Sequence, residues 1–357
     1  MSQAQRILIL GTGHIAHKHA EQFGSNPGCT LVAAVDANGE RARAYASSYG
    51  IPHVFEDLEA AIRWNGFDAA VNATPDAVHK PTSLRLIAAG KSVFCEKPLA
   101  LTEVDAFEMT EAAEAAGIIA MVNLTYRNAH AIQRARQMID AGEIGIVRHI
   151  EASYLQSWLT ASHWGDWRTE ERWLWRLSTA HGSNGVLGDI GIHLVDFVTF
   201  GTGLDVATLQ ARLKTFDKAE GGRIGAYRLD ANDSVAVTAE MSNGALASIH
   251  MTRFATGKLN DLNLAIYGTG GALKVWANHL ESRLDACLGA DMETQSWRTL
   301  PCPETPRNEA RFVTALQAGR NGDPTFRRAA EMQRLLDLCL VSGKTGHLIA
   351  VRDTIQG

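Results

Sequence analysis

Residues 6–16 read Arg6-Ile7-Leu8-Ile9-Leu10-Gly11-Thr12-Gly13-His14-Ile15-Ala16, and this run decides the fold. A short, unbroken aliphatic run bounded by a glycine turn predicts a strand buried on both faces. The run stops at a G-x-G-x-x-A turn, after which an amphipathic pattern continues to about Phe23. The glycine spacing alone carries little information; strand, turn and helix in that order make it a dinucleotide-binding fingerprint. Gly11 permits the tight turn, Gly13 lets backbone approach a pyrophosphate, and Ala16 is small enough for helix and strand to pack closely. The N–H groups that open the helix, around His14 and Ile15, are expected to face the phosphates.

Working outward, residues 30–35 form a second apolar strand ending at Asp36, twenty residues beyond Ala16. A carboxylate there is expected to accept hydrogen bonds from the adenosine ribose. The residues directly after it are Ala37-Asn38-Gly39, with no arginine among them. A 2′-phosphate beside a lone carboxylate would be repelled by up to ~4 kcal/mol at about 4 Å, so NAD is expected rather than NADP. The alternation continues with a helix over 57–64 and a strand over 68–73 that ends at Thr74-Pro75. A helix to Ala89-Gly90 leads into a strand over 92–95. Thr102-Glu103-Val104-Asp105 then opens a capped helix that stops at Gly117, and a strand over 118–122 closes the set. This predicts an α/β, doubly wound parallel sheet over residues 1–125, a Rossmann domain.

The strand over 92–95 runs into Glu96-Lys97-Pro98. That places a carboxylate and an ammonium at the carboxyl edge of the sheet, where ligands lie in open α/β folds. Pro98 biases Lys97 toward an extended backbone, and Glu96 can hold the ammonium by a charge-assisted hydrogen bond. In isolation the same tripeptide is an ordinary surface ion pair. His14, His17 and His19 invite a metal reading, but a cation there would crowd the phosphate-facing turn, and no metal is expected.

From Tyr126 the pattern changes. A helix over 129–141 precedes strands over 147–158, 208–215, 234–241, 245–254, 262–267 and 272–276, several joined by turns such as Ser242-Asn243-Gly244. Residues 126–357 are therefore expected to form an α+β domain with a large, mainly antiparallel open sheet and helices on one face. The other face would suit a second copy of the chain, as a dimer or tetramer. Gly268-Thr269-Gly270-Gly271 joins two strands and reads as a hairpin turn. A last helix, over 327–340, is expected to be structural and to pack back toward the first domain.

Two stretches of this second part carry chemistry. Trp158, Trp164, Trp167, Trp173 and Trp175 are five of the chain's eight tryptophans, and indole faces suit the C–H faces of sugars as well as ordinary cores. In Gly188-Asp189-Ile190-Gly191-Ile192-His193-Leu194-Val195-Asp196, helical winding would put Asp189, His193 and Asp196 on one face. Histidine can take a hydroxyl proton near neutral pH, and a carboxylate one turn away would stabilise the imidazolium. An Asp-x-x-x-His pair by itself is also a common helix-surface ion pair.

The net charge of −5 provides no basic footprint for nucleic acid or an anionic membrane. No apolar run reaches the roughly 20 residues of a membrane span. Five cysteines lack any metal-ligand spacing, and nothing after Met1-Ser2-Gln3 reads as a signal peptide, so reduced thiols in a cytoplasm are expected.

Taken together, these motifs resemble the Gfo/Idh/MocA family of nicotinamide-dependent oxidoreductases, the glucose–fructose oxidoreductase and inositol dehydrogenase type. The resemblance covers nearly the whole chain. It rests on the Gly11–Ala16 turn with His19, on Ala73-Thr74-Pro75 with His79, on Glu96-Lys97-Pro98, and on Asp189 with His193. The Trp175-Arg176 segment before Gly185 resembles the sugar-active branch. The resemblance implies oxidation of a secondary alcohol on a sugar or cyclitol, or the reverse, with Lys97 polarising the reacting oxygen, His193 as acid–base group and Asp189 tuning them. It places Thr74, Pro75, His79, Glu96 and Lys97 along the cofactor. It places Tyr126, Arg127, Trp167, Trp175 and Arg176 near substrate. A non-catalytic sugar sensor and a glycoside-cleaving enzyme with retained NAD are the alternatives the same resemblance leaves open.

Overall fold

The computed structural model describes residues 4–278 and 280–351, so the Met1-Ser2-Gln3 start lies outside it. The chain divides into two compact units, one of residues 4–125 with 306–334, the other of 126–305 with 335–351.

In the first unit, strands β1 (Gln5–Leu10), β2 (Cys29–Val35), β3 (His53–Phe55), β4 (Ala69–Asn72), β5 (Ser92–Cys95) and β6 (Ala120–Val122) form one sheet in the order β3-β2-β1-β4-β5-β6. All neighbours are parallel. Chain order reverses between β1 and β4, the topological switch point at which such sheets open a crevice. Ile7, Leu8 and Ile9 are wholly buried, as an aliphatic strand inside a doubly wound sheet must be. The helix Glu103–Ala115 is capped as expected, Thr102 accepting from the Asp105 N–H. Strand β3 and the helix Gly39–Tyr49 have weaker sequence patterns and are additions to the reading above.

The expected extent of the second domain, 126–357, requires correction. Phe312 and Val313, on the helix Asn308–Ala318, are buried in the same apolar cluster as Phe23, Phe94 and Ile7. Phe94 meets Phe312 at 5.3 Å and Phe23 at 5.8 Å between ring centroids. Residues 306–334 thus complete the core of the first unit.

The second unit is built on strands β7 (Val147–Gln156), β8 (Val206–Lys214), the small hairpin β9 (Arg223–Ile224) and β10 (Tyr227–Arg228), then β11 (Ser234–Met241), β12 (Leu246–Thr252), β13 (Asn260–Gly268), β14 (Gly271–Ala277), β15 (Ser282–Leu288), β16 (Arg298–Leu300) and β17 (Ile349–Ala350). Nine of them order as β16-β15-β14-β13-β7-β12-β11-β8-β17. Every pairing in this sheet but β7–β12 is antiparallel. Gly268 pairs with Gly271, so that glycine run is a hairpin turn. Val235, Val237, Ala239 and Met241 are buried, whereas Ala236, Thr238 and Glu240 between them are exposed. Period-two burial of this kind means one covered and one open face. The helices His130–Asp140 and Ile192–Thr202 pack on each other and on the sheet.

Candidate active site

The nucleotide-facing edge lies in the first unit. Helix His14–Gly24 begins at Gly13, which is extended and provides no side-chain cap; the Ala16 N–H donates to the Gly13 carbonyl at 3.0 Å, and the N–H groups before it are the ones that would face a ligand. Gly11 has φ +85°, and a Cβ there would lie 2.7 Å from the Ala73 carbonyl oxygen, which no larger residue could tolerate. A Cβ at Gly13 would meet nothing within 4 Å, leaving the open space that a diphosphate needs. His14 is exposed, Ile15 half-buried, and Thr74 and Pro75 follow the end of β4. The residues present therefore fit a dinucleotide.

Asp36, just past β2, is largely buried. Its Oδ2 accepts from the backbone N–H and hydroxyl of Thr12 at 2.8 and 2.9 Å, and its Oδ1 from the Asn38 N–H at 2.9 Å. Arg41 closes on the same carboxylate, Nη2 to Oδ1 at 2.6 Å and Nε to Oδ2 at 3.0 Å. Burial opposes ionisation, but the guanidinium and these donors outweigh it and hold the carboxyl at about 2. The expectation of a lone carboxylate is corrected: an arginine five residues on, at the start of the helix Gly39–Tyr49, pairs with it.

Lys97 is half-buried at the carboxyl end of β5. The side chain expected to hold its ammonium, Glu96, accepts from His19 Nε2 at 2.8 Å, from Asn123 Nδ2 at 2.7 Å and from the backbone N–H of Lys97 at 3.2 Å. Burial pushes the Glu96 carboxyl up, yet His19, Asn123 and the charge of Lys97 bring it down to about 2. His19 is 1 % exposed, with Nδ1 3.3 Å from Glu309. Burial disfavours its cation, and the two glutamates reverse this, raising it to about 9. His79 is wholly buried, its Nδ1 2.7 Å from the Pro98 carbonyl and its Nε2 2.8 Å from the Thr74 carbonyl. The polar atoms of Glu96 and His79 are thus engaged inside the fold. Among the described residues no group of three His, Cys, Asp or Glu could hold a metal ion; His17 pairs with the Tyr49 hydroxyl. All five cysteines are free.

Most of the residues expected to face substrate lie in the second unit. Asp189 sits in a π-helical turn, Leu187–Gly191, directly before the α-helix Ile192–Thr202 that carries His193. The wider i→i+5 winding is a feature that often marks functional sites. Asp196 forms a bidentate pair with Arg127, at 2.6 and 2.9 Å, with both side chains 3 % exposed. Arg127 also covers the Phe200 ring. Asp189 receives Arg253 Nη2 at 3.0 Å, and Arg176 Nε lies 3.9 Å away. His193 is 7 % exposed with the Tyr126 ring edge-on at 5.2 Å.

Of the expected substrate contacts, Arg127, Tyr126 and Trp167 are buried. Tyr126 joins a buried network in which its hydroxyl meets Tyr154 at 2.6 Å and Asn260 at 2.9 Å, and Gln156 donates to Asn260 at 2.7 Å. Trp167 is 3 % exposed and donates to the Leu159 carbonyl within an apolar cluster with Trp158, Leu174 and Leu177. Trp175 and Arg176 stay half-buried, the guanidinium 4.5 Å from the Trp175 ring.

Sequence reading missed Arg253, which is wholly buried. Its signal was present: Ala247, Ile249 and Met251 face inward, and the next inward position, 253, carries a charge. Burial lowers its pKa while Asp189 opposes the shift.

Comparison with known proteins agrees with both halves. Residues 5–124 match the oxidoreductase family, NAD-binding Rossmann fold, and residues 132–274 match the GFO/IDH/MocA C-terminal domain. A 1,5-anhydro-D-fructose reductase of Ensifer adhaerens is 30% identical over 268 residues, 74% of each chain. The levoglucosan dehydrogenase of Pseudarthrobacter phenanthrenivorans is 28% identical over 280 residues, 74% of this chain and 70% of the relative. In fold, a levoglucosan dehydrogenase solved in complex with NADH superposes with a TM-score of 0.87 at 23% identity, covering 98% of this chain and all of that one. With a nucleotide cradle in one unit and a mixed nine-stranded sheet in the other, the chain belongs to the Gfo/Idh/MocA family of NAD-binding oxidoreductases.

Proposed function

We propose that the protein oxidises a secondary hydroxyl of a sugar, glycoside or cyclitol to a ketone, or runs the reverse reduction, with NAD rather than NADP. The observation that carries this reading is Lys97 at the carboxyl end of β5, two strands from the glycine turn after β1. NAD, when bound, supplies the hydride acceptor. Gly11, Gly13 and the first turn of the helix hold its phosphates, and Asp36 receives its ribose. His193 takes the hydroxyl proton, a role worth roughly 10²–10⁴-fold. Lys97 is the donor we assign to the charge that develops on a substrate oxygen, worth ~3 kcal/mol for a well-placed donor. Asp189, held by Arg253, orients the acid–base group. Trp175 and Arg176 offer a ring face and a donor to a polyol. The names of relatives support the substrate class, and the uncovered sheet face is the surface we assign to a second copy of the chain.

The test is NADH formation with a panel of levoglucosan, glucose 6-phosphate, scyllo-inositol and a methyl glucoside, and NADH consumption with 1,5-anhydro-D-fructose. NAD-dependent turnover of any of these supports the reading. Cofactor binding without turnover of any sugar or cyclitol would overturn it.

A further inference from the structure

Lys97 lies between two residues whose polar groups are each gripped by a buried histidine. On one side, the Glu96 carboxylate receives His19 Nε2, and Glu309 stands behind that ring. On the other, the carbonyl of Pro98 faces His79 Nδ1 at 2.7 Å, while His79 Nε2 faces the Thr74 carbonyl at 2.8 Å. A neutral imidazole has one donor and one acceptor, so it would set a lone pair against one of these two carbonyl oxygens. Donation to both requires the imidazolium. Burial works against that cation, but Cys95, Asp76 and the Pro98 carbonyl shift the balance, and His79 is raised to about 10.

A buried cation costs free energy unless it is hydrogen-bonded and paired. Here the two imidazoles meet the chain immediately before and immediately after the lysine. Glu96 also accepts the Lys97 backbone N–H, so the His19 grip reaches the lysine through a single side chain.

We propose that His79 and His19 are positioning residues for Lys97: together they fix the backbone on both flanks, so that the ammonium is presented in one place. This rests on the catalytic reading of Lys97 given above. Misplacing a reacting group by about 1 Å can cost on the order of a hundredfold in rate, which sets the scale of the effect.

The side-chain amides of Asn and Gln separate this from general structural support. An Asn amide nitrogen falls near the Nδ1 position of histidine and a Gln amide nitrogen near Nε2. His79→Asn keeps the donor to Pro98, and His79→Gln keeps only the donor to Thr74. At position 19 the order reverses, because Gln keeps the donor to Glu96 and Asn loses it. Turnover is expected to fall about a hundredfold in His79→Gln and His19→Asn, and far less in His79→Asn and His19→Gln. NAD affinity, followed by quenching of tryptophan fluorescence, should stay close to wild type in all four. With the panel's selected sugar deuterated at the reacting carbon, the isotope effect on kcat should rise in the two impaired variants. Nitrogen NMR of labelled histidine should show both His79 ring nitrogens protonated at neutral pH.

Equal activity of Asn and Gln at both positions, a neutral His79, or losses that follow NAD affinity with an unchanged isotope effect would overturn the proposal. Where one position fails to fold on substitution, the other pair decides. If Lys97→Ala itself keeps the wild-type rate, it is the catalytic reading that falls, and the NMR result still stands for His79.

Discussion

Arg41 lies across the carboxylate of Asp36, touching both of its oxygens, at 2.6 and 3.0 Å. The group expected to accept the ribose hydroxyls is therefore already paired, and the pair is nearly neutral. An unpaired carboxylate would repel a 2′-phosphate strongly, whereas this one repels it less and brings a guanidinium to the same place. Arg41→Ala is expected to sharpen the preference for NAD, chiefly by weakening NADP. Asp36→Ala should weaken NAD by roughly 10–100-fold, the loss of a charge-assisted hydrogen bond, and narrow the gap to NADP. Fluorescence titration of both nucleotides against both variants checks this.

Lys97→Ala and His193→Ala should each lower kcat by about 10²–10⁴-fold while NAD binds close to normally. Steady-state rates beside cofactor titrations measure the split. Rates within a few-fold of wild type in both variants would refute the assigned roles.

Arg127 and Asp196 form a pair in the second unit with both side chains 3 % exposed. Removing one partner strands the other charge, which typically costs ~3–5 kcal/mol. Arg127→Met should show that loss in urea unfolding, and Arg127→Met with Asp196→Leu should recover much of it. A normal unfolding midpoint in the single variant, with a raised KM, would make Arg127 a substrate contact rather than a structural partner of Asp196.

The buried histidines predict a pH trend in stability. His19 moves from an ordinary 6.5 up to about 9 on folding, so its contribution is whole below 6.5 and is lost as pH climbs through about 9. His79 adds the same trend toward about 10. Glu96 runs the other way, its contribution present above its ordinary 4.5 and lost as pH falls through about 2. The wild-type melting temperature should therefore drop more steeply between pH 6.5 and 9 than that of His19→Gln, as read by calorimetry.

What could be read from the chain alone was local. The glycine turn, Asp36 and Glu96-Lys97-Pro98 announce themselves because strand, turn and helix follow one another within a few residues. The partners of those groups were not readable in the same way. Glu309 reaches His19 across 290 residues of chain, and Arg253 reaches Asp189 across 64. Arg41 was near enough to find, but only the first turn of a helix brings it back to Asp36. The π turn at Leu187–Gly191 shows a further limit, since a helical pattern does not announce its own winding.

The return of residues 306–334 to the first unit bears on how this molecule comes into being. The apolar heart around Phe23 and Phe94 closes only when Phe312 arrives, and His19 waits equally long for Glu309. An emerging polypeptide would hold its nucleotide half unfinished until residues 306–334 have been made, while the intervening sheet is made and can assemble ahead of it. A gene fragment stopping at codon 125 would then yield an aggregation-prone product, whatever the completeness of its glycine fingerprint.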